Sequence, residues 1–415
     1  MRVLLVTIGS HGDVNTFIAI GRALRALGHD AAVMTNPYFN RQVEEAGLAF
    51  LPVGERLDLT RVHETMPDLM HPRRGSKVVL DLLVGKFSTD SYTPIREAIR
   101  RERFDAVVHH HIALSAAWAA DTEGVPAITA VLAPMMWMSR GDVLKPMSWS
   151  PLNPGPMTRW AMHTLGTPIM NWIMDGFIAK VRRDLRLSKA KGEYLRITRG
   201  GVANLGLWSS VFRGPCEGDP PTGVICGFPW HDRHDDHDHA GERLEHFLAS
   251  GEPPILFTLG TAAVHVAGDF YHHAAEACRL LRRRGLVLVG PGRTPPNNLP
   301  ADCLAVDYAK FSAVMPRCAV NVHHGGIGST GQALRAGRPT LVIPHAHDQF
   351  DNAARVQRLG VSLTLPRPKV TARRLADQLA RLLDDPRAHA EAARTRPILN
   401  GEDGAQRAAE RIVAM

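Results

Sequence analysis

The residues best equipped for chemistry lie in His323-His324-Gly325-Gly326-Ile327-Gly328-Ser329-Thr330, followed by Pro344-His345-Ala346-His347-Asp348-Gln349. An apolar run, Ala319 to Val322, reads as a strand that delivers two imidazoles to its carboxyl end. The glycines then let backbone N–H groups approach an anion. A helix expected to start near Gly328 aims its N-terminus, with Ser329 and Thr330, at the same place. Its free N–H groups and its macrodipole favour a phosphate there. A second strand, Pro339 to Ile343, leads into Asp348 and Gln349, a carboxylate and an amide suited to holding sugar hydroxyls.

A second group follows the apolar run Val3 to Ile8, in Gly9-Ser10-His11-Gly12-Asp13-Val14-Asn15. A nicotinamide-dinucleotide turn would carry Gly-x-Gly-x-x-Gly and an acidic residue at the end of the next strand. Here the glycines stand at 9 and 12, and the next strand ends in Met34-Thr35-Asn36, which is a poor fit. The turn does offer a carboxylate, Asp13, and an imidazole, His11. Either is able to take a proton from a hydroxyl nucleophile. Asp13 is equally placed to cap the helix that follows, a purely structural use.

These side chains need elements to position them. In the first half, strands are expected at Val3 to Ile8, Ala31 to Thr35, Leu48 to Val53, Asp105 to His109 and Ala127 to Val131. Between them Phe17, Ile20, Leu24 and Leu27 recur at helical spacing over Thr16 to Leu27, with Gly28 as the stop. Arg41 to Ala46 and Ala113 to Asp121 read as further helices. The second half restarts the pattern with strands at Pro254 to Leu259 and Gly285 to Val289 and a helix over Phe270 to Arg284. Strand–helix alternation of this kind means parallel strands with crossover helices. The expected fold class is therefore α/β, with two doubly wound, Rossmann-like domains facing a cleft. Ligands in such folds sit outside the carboxyl ends of the strands. The expected division is 1–214, a linker region 215–253, a second unit 254–400 and a C-terminal helix 401–415.

Bulk properties narrow the class. A chain of 415 residues is too long for one ordinary core. Its net charge of +8 comes from arginines spread along the chain, with no basic stripe interleaved with aromatics, which argues against nucleic acid. Cys216, Cys226, Cys278, Cys303 and Cys318 are odd in number, without zinc or redox spacing, and read as reduced cytoplasmic thiols. No signal peptide and no membrane span are expected. The run from His231 to His239 holds His and Asp side chains and reads as a solvated connector rather than a metal site, since no element pins their geometry.

An insertion over about 135–190 breaks the pattern. Eight of the 14 methionines fall in residues 135–174 (Met135, Met136, Met138, Met147, Met157, Met162, Met170, Met174), as do Trp137, Trp149, Trp160 and Trp172. A basic stretch follows: Lys180, Arg182, Arg183, Arg186, Lys189 and Lys191. Two readings stay open, ordinary packing of a helical insertion and an apolar pocket lined by Met135, Trp137, Trp149 and Trp172. The basic stretch is also suited to peripheral contact with an anionic membrane.

Together these motifs resemble a known family. His-His-Gly-Gly-x-Gly-Ser-Thr, then Ala-Leu-x-Ala-Gly-x-Pro, then Asp-Gln-x-x-Asn-Ala is similar to the donor-site signature of the UDP-glycosyltransferases of GT-B fold. Gly-Ser-x-Gly-Asp-Val with Ala-Leu-x-x-x-Gly-His is similar to the amino-terminal end of bacterial members. Gly268-Asp269-Phe270-Tyr271, and Ala346 to Ala353 followed by Arg355, look most like the rhamnosyltransferases of rhamnolipid type. The resemblance implies that Tyr308 stacks on the nucleobase and that His324 contacts the pyrophosphate. Gly326, Gly328, Ser329 and Thr330 would complete that cradle, Gly260 and Thr261 would approach the phosphates, and Asp348 and Gln349 would bind sugar hydroxyls. It makes 254–400 the donor-binding domain and 1–214 the acceptor-binding one.

Asp13 stands where many members carry a catalytic histidine; glycopeptide and sterol glycosyltransferases of bacteria carry Gly-Asp there, as this chain does. Gln332 replaces the ribose-binding glutamate of plant members, and Lys310-Phe311 replaces the usual Pro-Gln, which leaves UDP and dTDP both open. The expectation is an inverting, metal-independent transfer of a hexose or deoxyhexose from a nucleotide sugar to a hydroxyl of an apolar acceptor: a lipid, a polyketide or a phenolic. The nucleotide sugar is a co-substrate and no cofactor is implied. A nucleotide-sugar epimerase and a non-catalytic sugar-nucleotide or lipid-binding protein are the competing readings. The expected location is the cytoplasm, with the inner membrane surface open.

Overall fold

The computed structural model of the chain describes all residues except 59–63, 65 and 233–240. Two parallel sheets organise it. The first has seven strands in the order β3-β2-β1-β4-β5-β6-β7: β1 Arg2–Val6, β2 Asp30–Thr35, β3 Ala49–Pro52, β4 Ala106–His110, β5 Ala127–Val131, β6 Ala203–Gly206 and β7 Gly223–Ile225. The second has six, in the order β10-β9-β8-β11-β12-β13: β8 Ile255–Thr258, β9 Gly285–Leu288, β10 Cys303–Val306, β11 Val320–His323, β12 Thr340–Val342 and β13 Ser362–Thr364. The expected α/β class with two doubly wound units is what forms.

The reason lies in the strands. β1 and β4 are almost wholly buried and carry the apolar runs Val3–Val6 and Ala106–Val108, as a sheet covered on both faces requires. Leu4 and Val6 point to one face and join Ile95, Ile99 and Trp118. Those three ride on α2 (Phe87–Glu102) and α3 (Leu114–Glu123). Val3 and Leu5 point to the other face and join Phe17, Ile18 and Leu24 of α1 (His11–Ala26). The second sheet repeats the scheme, with Phe257, Val322 and Leu341 against Leu375 and Leu379.

In both strand orders the direction of winding reverses between two neighbours, β1 and β4 in one sheet, β8 and β11 in the other. The carboxyl ends of such a pair form the crevice in which doubly wound folds bind ligands. Val6 pairs with His109, so His110 emerges level with the turn after β1. Phe257 pairs with Val322, so His324 emerges beside the turn after β8.

Several expectations shift. The first helix starts at His11, five residues earlier than its apolar periodicity suggests, because Ser10 and Asp13 form a capping box there. β6, β7, β10 and β13, of 3–4 residues each, form in addition to the expected strands. The stretch read as a linker is partly structured: β7 completes the first sheet and a helix forms at Gly241–Ala249. Of the His/Asp run, residues 233–240 lie outside the described residues. Among the described residues no helix is long and apolar enough to cross a membrane.

Candidate active site

On the first unit, Gly9 turns the chain at φ +126°, and a Cβ there would lie 2.3 Å from Oδ2 of Asp13. The tight turn lays Asp13 back over the start of α1. Its Oδ2 accepts from the Ser10 backbone N–H at 2.7 Å. Its Oδ1 faces Nε2 of His110 at 3.4 Å, an electrostatic contact too long to count as a formed hydrogen bond. Asp13 therefore both caps the helix and presents a partly exposed oxygen to the cleft. His110 was missed by motif reading. Its signal was topological: it ends β4, and only the strand order puts β4 beside β1. The other candidate base, His11, is turned elsewhere. Its Nδ1 lies 3.1 Å from Oε1 of Gln42, and its ring stands edge-on to Tyr38 and Phe39.

On the second unit, the His324 ring sits between two glycines. A Cβ at Gly260 would lie 2.4 Å from its Cε1, and one at Gly326 would lie 2.5 Å from its Nε2. Gly260 also needs its φ of +63°. Gly326 is the N-cap of α7 (Ile327–Ala336), and no side chain caps that end. The first-turn N–H groups, including those of Gly328 and Ser329, are thus open to an anion. Nδ1 of His324 and Oγ1 of Thr330 are buried without a hydrogen-bond partner. Burial, with His323 and His345 adding to it, holds His324 well below its ordinary value, so it stands as a neutral imidazole. Thr261 follows on the surface of the same turn. Tyr308 leaves β10 half-buried, three strands from β11, a lateral offset of roughly 14 Å.

Asp348 is the N-cap residue of α8 (Gln349–Arg358). Burial pushes its carboxyl up to about 7; a hydrogen bond from Asn352 opposes this, and the Asp13 carboxylate across the cleft adds to it. His347 lies against the first unit, where a Cβ on Gly75 would stand 3.1 Å from its Cε1. His347 itself is held at φ +57°, a left-handed conformation unusual for its type. Gln349 is committed in part: its Oε1 accepts from the backbone N–H of His345 at 2.8 Å and of Ala346 at 3.2 Å. That fixes the turn and leaves its amide nitrogen for a ligand. Asn352 ties the cradle to α8 by donating to the Gly325 carbonyl at 2.9 Å and to Asp348 at 2.7 Å.

The four apolar residues assigned to an acceptor pocket separate. Met135 lies half-buried just after β5, one strand from His110. Trp137 is a core residue instead: it is fully buried against Trp208, and its indole N–H donates to Oδ1 of Asn204 at 2.6 Å. An indole among helical methionines reads alike whether it lines a pocket or fills a core, so only packing corrects this. Trp149 and Trp172 stand out in solvent, 78% and 76% exposed.

A buried ionic clamp joins the insertion to α8. Arg355 donates through both terminal nitrogens to Asp142 at 2.9 Å and through Nε to Asp351 at 2.6 Å. Asp351 accepts from the Lys145 backbone N–H at 2.8 Å. Arg358 reaches the carbonyls of Val143 and Leu152, each at 2.9 Å. Burial works against the charge on Asp142, yet Arg355 and Arg213 hold its carboxyl below the usual range.

Two facing doubly wound units, with a diphosphate-type cradle on one and a carboxylate on the other, define a glycosyltransferase of GT-B fold. Solved structures agree on the fold. The glycosyltransferase of kitacinnamycin superposes with a TM-score of 0.75 at 20% identity, covering all of this chain and 98% of that one. The spinosyn rhamnosyltransferase complexed with thymidine diphosphate gives 0.68 at 16% identity, covering all of both chains. The glycosyltransferase family 28 N-terminal domain matches residues 3–130, and the erythromycin biosynthesis protein CIII-like C-terminal domain matches residues 290–415. The O-mycaminosyltylonolide 6-deoxyallosyltransferase of Streptomyces fradiae is 31% identical over 98% of this chain and 96% of its own length. The 3-alpha-mycarosylerythronolide B desosaminyl transferase of Saccharopolyspora erythraea is 24% identical over 97% and 95%. The chain belongs to this erythromycin-CIII-like family of glycosyltransferases.

Proposed function

We propose that the protein transfers a deoxyhexose, with inversion, from a thymidine-diphosphate sugar to a hydroxyl of an apolar acceptor of polyketide, sterol or lipid type. The observation that carries this reading is the pair of strand-end turns at the switch points of the two sheets, Asp13 on one unit and the open, glycine-lined His324–Thr330 cradle on the other. Asp13 removes the acceptor proton through its free oxygen, beside which Nε2 of His110 stands at 3.4 Å. The hydroxyl oxygen bonds to the anomeric carbon as the bond to the diphosphate oxygen breaks. Base and leaving group lie on opposite sides of the cleft, so attack is in line and the configuration inverts. His324 donates a hydrogen bond to the diphosphate, and the α7 N-terminus takes up its growing charge; one such preorganised donor contributes about 3 kcal/mol. With that charge met by backbone dipoles, the step is proposed to run without a metal.

Several observations support the finer points. Thymidine diphosphate accompanies neighbours of this fold. The names of the two macrolide relatives support a deoxyhexose and a polyketide acceptor, and those of plant sterol 3-beta-glucosyltransferases a sterol. The rhamnolipid-like stretches at 268–271 and 346–353 support a rhamnose-like donor. We place the protein in the cytoplasm, which suits its five free thiols.

The test is incubation with a panel of UDP- and dTDP-sugars, with and without macrolide, sterol and hydroxy-fatty-acid alcohols, followed by mass spectrometry. Acceptor-dependent diphosphate release with dTDP-deoxyhexoses is expected. Sugar interconversion without acceptor would indicate an epimerase, and binding without turnover a carrier.

A further inference from the structure

The helical insertion carries a second surface that the transfer chemistry does not use. Its helices run Pro156–Ala161, a wide turn at Met162–Gly166, and α4 (Thr167–Asp184). One side of α4 is ordinary core: Met174, Ile178 and Val181 are buried in the first unit. The opposite side is apolar and open. Met157 is 81% exposed and Trp160 60%, and Leu165, Ile169, Trp172 and Ile173 are exposed beside them. From Met157 to Ile173 this strip is about 24 Å long at the helical rise. Monomeric proteins rarely leave so much contiguous apolar surface in water without a use for it.

The same stripe then changes character. Ile169, Ile173, Gly176, Lys180 and Arg183 follow one another at spacings of three or four, so the apolar strip leads directly into exposed cations. Arg186, Lys189 and Lys191 extend them, and Asp184 is the exposed carboxylate among them. Exposed tryptophans in line with a basic cluster match the two layers of a lipid interface, where indoles sit at headgroup level and cations meet anionic headgroups. A second copy of the chain fits less well. Paired about a two-fold axis, the cations of one copy would lie on the other's cations or on its apolar strip.

We infer that this face docks the enzyme on an anionic bilayer. The chain leads from Trp149 and Leu152, beside the Arg358 clamp, straight into the strip, so the docking face is continuous with the segment clamped to α8. The surface is independent of the chemistry: it binds lipid whether or not the transfer reading holds.

The test is co-sedimentation of the full chain with phosphatidylcholine vesicles, with and without phosphatidylglycerol. Binding is expected to require phosphatidylglycerol and to be lost near 1 M salt, where the screening length is about 3 Å. Lys180→Glu with Arg183→Glu should lower the partition coefficient by more than about tenfold. Trp160→Ser with Met157→Ser should weaken it as well, and in the wild type tryptophan emission should shift to the blue on vesicles. All four positions are exposed, and unchanged melting temperatures would confirm folding. Turnover of a water-soluble acceptor should be unaffected by these variants, which separates docking from catalysis. Failure of the wild type to bind, or equal binding by the charge-reversed variant, would overturn the inference. So would a dimer that Trp160→Ser dissociates, since it would name a second copy as the occupant.

Discussion

Asp13 serves two masters with its two oxygens. Oδ2 caps α1 and Oδ1 looks into the cleft towards His110. Loss of such a cap costs about 1 kcal/mol, whereas loss of a general base lowers turnover by roughly 10²–10⁴. His110→Ala should keep the cap and lower kcat, with KM for the donor little changed; an unaltered kcat would remove His110 from the mechanism. Gly260→Ala is expected to weaken donor binding by at least about tenfold, because the added methyl pushes the His324 ring off its place and strains a positive φ; isothermal titration with thymidine diphosphate measures it. Asp348 supplies a pH signature. Its carboxyl is held at about 7 in the folded chain against an ordinary 3.8. The stability it contributes is full below pH 3.8 and is lost as pH rises towards about 7. Asp348→Asn should therefore gain melting temperature relative to wild type between these values and level off above them. Donor affinity in the wild type should rise as pH passes about 7, where the carboxylate forms in the folded chain, and the variant should lack that rise.

At the scale of elements, parallel strand order converts distant sequence into one site. β1, β4, β8 and β11 end at the two switch points, and Asp13, His110, Gly260 and His324 stand at their carboxyl ends. Much of this was legible. The glycine turn before α7 and the β1 turn both have local signatures, because phosphate binding needs bare backbone in one short stretch. His110 was not legible, since its role exists only once β4 lies beside β1. Nor was the Trp137 core position, which depends on Trp208 and Asn204 far along the chain. The Asp142–Arg355 clamp is long-range in the same way. Arg355→Ala would leave Asp142 and Asp351 buried without their main partner, at a cost of about 3–5 kcal/mol by urea unfolding. Because α8 begins with Asp348 and Gln349, the same variant should raise KM for the donor more than it lowers kcat.

For the whole molecule, the units are joined by two passages of chain that touch. After α10 (Pro386–Asn400) the chain returns to the first unit as α11 (Gly404–Val413). Ala408, Ala409 and Ile412 pack there against the α1 side of the first sheet. At the return point a Cβ on Gly404 would lie 2.4 Å from the backbone of Gly227, on the outward passage. With the Asp142–Arg355 clamp and an apolar layer shared by Trp208, Phe228, Leu334 and Val356, this contact fixes the two units against each other. The central claim is that Asp13 of one unit acts on a sugar held by the other. The most direct measurement is acceptor-dependent release of thymidine diphosphate by Asp13→Asn, with donor affinity measured on the same sample. An amide keeps a cap oxygen but cannot take the proton. Turnover at least about a hundredfold below wild type, with donor affinity unchanged, is the predicted result. Near-normal turnover would contradict the account.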